Sequence, residues 1–169
     1  AKQFMDKDND GKCDACGMPV VMCISSGQLQ CNMDPESTIG VLGTQHIHAD
    51  WKVYIDAAPF DFEPFAMDMS KMDANVTSSF IHVDKGAPLP EKTSDVLHMH
   101  AKGVPLWLFF KSIGMDVSSL VKLYVNENLS SEGLNYVFKD GDKLLLTDAT
   151  EGSEIQTELL SITDFAKNH

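Results

Sequence analysis

Six histidines occur in this chain, and five of them fall in short alternating stretches. Ile47 separates His46 from His48, Met99 separates His98 from His100, and His82 lies between Ile81 and Val83. Residues two apart on a β-strand point to the same side, so each His-x-His pair presents two neighbouring imidazoles. Neutral imidazole is the commonest metal ligand and suits zinc and copper. His46, His48, His82, His98 and His100 are therefore the candidate ligands of a transition metal. A His-x-His pair with a third histidine from a neighbouring strand makes a facial set with one position open. Catalytic zinc and non-blue copper use that geometry.

Two further groups of potential ligands lie near the start. Asp6, Asp8 and Asp10 alternate ahead of Gly11, followed by Lys12 and Asp14. The glycine permits a sharp turn, so three carboxylates, the Lys12 carbonyl and the Asp14 side chain can surround one Ca2+. Cys13, Cys16, Cys23 and Cys31 are interleaved with this run. They can pair as disulfides, hold zinc as a four-cysteine site, or bind a softer metal. Met67, Met69 and Met72 are spaced for thioether ligation of copper, although methionines packed over a sheet have the same spacing.

The elements that must position these residues follow from periodicity. In 45–56, Ile47, Ala49, Trp51, Val53 and Ile55 share one face, and His46, His48, Asp50, Lys52 and Tyr54 share the other. The turn at 56–59 should return the chain into 60–62 as a β-hairpin. Segments 79–83 and 95–101 read as a second, longer hairpin carrying His82, His98 and His100. Pro105 and Gly114 bracket an almost wholly apolar helix over 106–114, which should be buried against the sheet. Strands are expected at 121–126, 135–138 and 143–147. A capping box at Ser153–Gln156 is expected to open a last helix reaching Phe165.

Composition limits the function classes. The 169-residue chain is 43 % hydrophobic, enough for one well-cored domain and a small appendage. No apolar run reaches the length of about 18 residues that would suggest a membrane span. A net charge of −12 argues against nucleic acid and anionic membrane surfaces and favours cations. The chain starts at Ala1, as trimming of a signal peptide or an arbitrary boundary would leave it. With all cysteines in the first 31 residues, a secreted, periplasmic or cell-surface location is expected. Asn75 and Asn128 stand in glycosylation triplets, which arise often by chance.

Three resemblances add to this. The Asp-rich, Cys-punctuated run at 6–14 resembles the calcium repeats of thrombospondin type 3 more than an EF-hand, because Gly17 stands where an EF-hand has its bidentate glutamate. This implies a bound calcium. The Cys16-Gly17-Met18 core resembles YHS-type modules and copper chaperones of nitrous oxide reductase assembly, which implies Cu(I) on sulfur. From Trp51 onward, the order hairpin, buried helix, strand, and strand after Asp140-Gly141-Asp142 resembles the β-grasp (ubiquitin-like) fold. The expected fold class is α+β: a β-grasp-like mixed sheet with one buried helix and a β-hairpin insertion, plus a Cys-rich calcium-binding lobe. The lobe would occupy 1–35 and the β-grasp-like domain 44–169, with the insertion at 65–101.

The expected function is extracytoplasmic binding of copper or zinc on the histidine face, with a structural calcium at the N-terminus. Two alternatives stay open. One is an extracellular structural or filament subunit that self-assembles, or docks on an extracellular protein, with metal ions stabilising it. The other is a three-histidine zinc or copper enzyme, for which Asp50 is the nearest general base or imidazole-orienting partner.

Overall fold

The computed structural model describes residues 10, 39, 43–67, 80–84 and 93–168. The N-terminal lobe expected at 1–35 lies outside these except for Asp10, which is exposed. The described body is an α+β arrangement: a seven-stranded mixed sheet with two α-helices.

The alternating stretch becomes β1 (Ile47–Ile55), the centre of the sheet. Its odd-numbered residues face a core in which Ala49, Trp51 and Val53 are buried. A two-residue strand, β2 (Ala58–Pro59), folds back on its end through Asp56 and Ala57, both at positive φ. Two such residues in a row make the twist-matched hairpin turn. Asp tolerates that conformation better than Ala does, so Ala57 carries the local strain.

The expected second hairpin is present as β3 (Ile81–His82) and β4 (Val96–Met99). It extends the main sheet: β4 pairs antiparallel with β1 from Ile47↔Met99 to Asp50↔Val96. Its apolar residues Ile81, Val83, Leu97 and Met99 share the buried core with β1.

Helix α1 (Leu106–Ser112) starts after Pro105, whose missing N–H costs nothing at that position. It ends in a Schellman motif: Gly114, at φ 71°, donates to the Lys111 carbonyl and Met115 to that of Phe110. Leu106, Leu108, Phe109 and Phe110 are buried against the sheet. The remaining strands are β5 (Lys122–Val125), β6 (Asn128–Leu129) and β7 (Lys143–Thr147). β6, not expected from the sequence, returns through Asn126 and Glu127, again both at positive φ. The spatial order is β3-β4-β1-β7-β5-β6, with β2 beside β1, and the β1–β7 pair is parallel.

Two expectations are corrected. Residues 135–138 are not a strand: Gly133–Asn135 is a 3-10 turn, and the carbonyl of Tyr136 accepts the N–H of Leu106. Phe138 then drops into the core. The backbone and side chain here serve the helix start and the Asp142 turn, so no ladder forms. The last helix, α2 (Gly152–Leu160), follows Glu151, and no side-chain hydrogen bond caps it, so the capping box is absent. It stops short of Phe165 because residues 163–166 are drawn onto Asp50. That carboxylate accepts from the Thr163 hydroxyl at 2.7 Å and from the N–H groups of Phe165 and Ala166.

Helix α2 covers the opposite face of the sheet at the β7 end, with Leu145, Ala149 and Ile155 in a second small core. Glu158 on this helix is only 3 % exposed. Burial pushes its carboxyl up, the Thr147 hydroxyl offsets part of this, and Glu154 and Asp148 add to it. A carboxyl raised on folding favours the native state below its unfolded pKa, and that contribution is lost as pH rises through the folded value. Glu158→Gln is therefore expected to stabilise the protein at pH 7 by on the order of 1 kcal/mol. In urea titrations over a pH series, the gain should vanish below about pH 4. An equal gain at both ends of the series would remove ionisation of Glu158 as the cause.

Among the described residues, no helix is long and apolar enough to cross a membrane.

Candidate metal centre

The part of the second face left open by α2 is where the five strand histidines meet. The registers place His48 beside His98 and His98 beside His82, a row of three across β1, β4 and β3. His46 and His100 extend the grid two residues along, at the margins of β1 and β4. The backbone beneath is held firmly. His100 donates to the Phe80 carbonyl and accepts from Gly43, while His48 donates to the Asp140 side chain and accepts from Gly141.

The rings lie in mutual contact. Centroids are 4.5 Å apart for His46 and His100, 4.6 Å for His48 and His98, and 5.0 Å for His82 and His100. The Nε2 atoms of His46 and His48 are 3.1 Å apart. This is close to the span of about 3.3 Å between two donors on one tetrahedral ion with bonds of about 2.05 Å. The face is not the solvated polar surface that alternation alone suggests. His48, His82 and His98 are buried, His100 is half-buried, and only His46 is exposed. A row of imidazoles this tightly spaced shields its own members.

One donor was missed from the sequence. Asp84 places its carboxylate across two rings, with Oδ1 3.1 Å from His82 Nε2 and Oδ2 3.5 Å from His98 Nε2. Its signal was present: Asp84 stands two residues after His82 and so shares its face, the same alternation that defines the His-x-His pairs. Asp50, by contrast, is taken up by the C-terminal segment at 163–166 and does not act as the general base or imidazole-orienting group expected of it.

Two sets of donors can each close on an ion. One atom from each of His46, His98 and His100 lies within 4.8 Å of the others, and so does one from each of His82, Asp84 and His98. Donors to one tetrahedral ion with bonds of about 2.1 Å lie about 3.4 Å apart, so each set closes when its donor pairs draw together by at most about 1.4 Å. Charge states favour cation binding. Burial first, then the neighbouring His82 and His46, lower the pKa of His100 to about 4 against the opposing pull of Asp84. Its imidazole is therefore neutral at pH 7, the form that ligates metal. Burial pushes the Asp84 carboxyl up, but the His82 hydrogen bond and the imidazole charges outweigh it, and Asp84 is held below the usual carboxylate range.

Asp6, Asp8, Lys12, Asp14 and Cys13, Cys16, Cys23 and Cys31 lie outside the described residues, as do Met69, Met72, Asn75 and His169. Met67 pairs by its backbone with the strand end at Asp84. Asn128 is exposed at the β6 hairpin, where its amide donates to the Asn126 carbonyl.

Comparison with protein-family models, with curated proteins and with solved structures finds no match.

Proposed function

We propose that this protein binds a divalent transition metal, zinc or copper, through the imidazoles of its histidine face, and that it works outside the cytoplasm. The observation that carries the reading is the convergence of single donor atoms from His46, His98 and His100 within 4.8 Å. Nitrogen donors joined by one carboxylate match zinc and Cu(II) and suit the harder calcium and magnesium poorly. The location rests on the four early cysteines, which suit disulfides in an oxidising compartment. Binding is favoured over turnover because neither nearby carboxylate is placed as a general base. Asp50 holds the C-terminal segment, and Asp84 is engaged with two imidazoles.

The body is read as a β-grasp variant. The parallel pairing of its first and last long strands, with a buried helix between them, supports this. A calcium ion on Asp6, Asp8, Asp10, Lys12 and Asp14, and disulfides or a soft metal on the four cysteines, complete the proposal.

The test is elemental analysis of the full chain purified without added metal, beside a variant carrying His98→Ala and His100→Ala together. The unmodified protein should hold stoichiometric zinc or copper, and the double variant should lose it with its far-ultraviolet circular dichroism unchanged. A folded double variant that holds as much metal as the unmodified protein would sink the assignment.

A further inference from the structure

The histidine face holds more donors than one ion can use. A structural zinc site takes four ligands. Here five imidazoles and one carboxylate crowd together, and five of these six donors form two triads that have only His98 in common. His98 sits in the middle of the row, between His48 on one side and His82 on the other. Asp84 lies on the His82 side, and the His100 ring stacks on both His46 and His82, with centroids 4.5 Å and 5.0 Å away.

Resting on the metal-binding reading above, we infer that the face is a two-metal centre, with His98 serving both ions. The first ion is held by His46, His98 and His100. The second ion is held by His82, Asp84 and His98. Each ion thus has three protein donors and keeps one position open to water or a small anion, the arrangement that separates reactive from structural zinc. An imidazole can hold two ions at once, through Nδ1 and Nε2, because its ring nitrogens are distinct donors. The second nitrogen–metal bond replaces an N–H bond, and that proton leaves to solvent, so loading both ions releases one proton from His98. The formal charge of −12 on the chain accommodates two divalent cations at close quarters.

Saturating the full-length protein with zinc, removing excess by gel filtration and counting zinc per chain by plasma mass spectrometry tests this. Differences between variants matter rather than totals, because the cysteines can add zinc of their own. His46→Ala should lose one ion, Asp84→Ala should lose one, and the variant carrying both should lose two. A double variant that loses only one ion overturns the two-metal centre and leaves a single site. If no variant loses zinc, the metal-binding reading itself fails.

A second measurement needs no substitution and so does not depend on the variants folding. Ring-nitrogen NMR of the unmodified protein should show the imidazoles of both His46 and His82 moving to new positions at zinc saturation. Either ring remaining at its metal-free position overturns the proposal.

Discussion

Zinc at about a thousand times its dissociation constant is expected to raise the unfolding free energy of this protein by about 4 kcal/mol, and His98→Ala is expected to abolish that gain. An ion that binds only the native state stabilises it by mass action. The unfolded chain holds no comparable set, because His46, His82 and His98 come from three separate strands. The effect should be large relative to the 5–15 kcal/mol that holds a typical domain together. Its sensitivity to His98 follows from the position of that ring at the centre of the row and in both donor triads. Urea unfolding with and without zinc measures it, with the midpoint expected to move and the slope to stay constant. A gain that His98→Ala retains would put the zinc elsewhere, with the cysteines at 13–31 the first place to look.

The second large effect lies on the other face of β1. Trp51→Ala is expected to cost about 3–5 kcal/mol from lost burial and the cavity left behind. Trp51 is 1 % exposed and is the point at which separate parts of the body meet. It stacks on Phe62 with centroids 4.6 Å apart and meets the edge of Phe109 on α1 at 4.9 Å. Its indole N–H donates to the carbonyl of buried Ser94 at 2.9 Å, just ahead of β4. Truncation therefore also orphans a buried acceptor, for roughly 1–3 kcal/mol more. Trp51→Phe separates the two causes, because it keeps an aromatic ring against Phe62 but cannot donate to Ser94. The phenylalanine variant should lose less than half of what the alanine variant loses. Equal losses would place the whole effect on the hydrogen bond. Because β1 carries His46 and His48 on its reverse side, the alanine variant should also lose metal affinity, without any ligand having been touched.

Much of this architecture was legible because its signals are strictly local. Alternation across 45–56 located the central strand, and the Pro105–Gly114 bracket located α1 within a residue or two of its observed ends. Where distant partners decide the outcome, local pattern misled. The stretch Tyr136-Val137-Phe138 has strand-forming residues. Even so, the Tyr136 hydroxyl donates to Asp142 and its carbonyl accepts from Leu106, so the segment joins no ladder. The Ser153–Gln156 pattern looks like a helix start with Ser153 as its cap, yet the cap position falls two residues earlier, at Glu151. Asp50 was the sharpest case. Its position on the histidine face suggested chemistry, but its oxygens receive donors 113 and 115 residues away that no local pattern reveals. Asp84 was hidden for the opposite reason. It sits at the mouth of a polar, proline-containing loop, and loop composition drew attention away from its two-residue spacing from His82.

The parallel pairing of β1 with β7 has a consequence for the order in which the molecule can be made. Strands β1, β3 and β4 meet by antiparallel pairings within residues 47–99, whereas β7, which flanks β1 on its other side, begins only at Lys143. During synthesis the whole histidine grid has therefore left the ribosome before the strand that completes the sheet exists. Pairing that spans so much chain is slow to form, because the loop must close before the contact can repay its entropy. Until then β1 has no partner on the side that β7 takes, and the pairings open to the histidine grid are those among β1, β3 and β4.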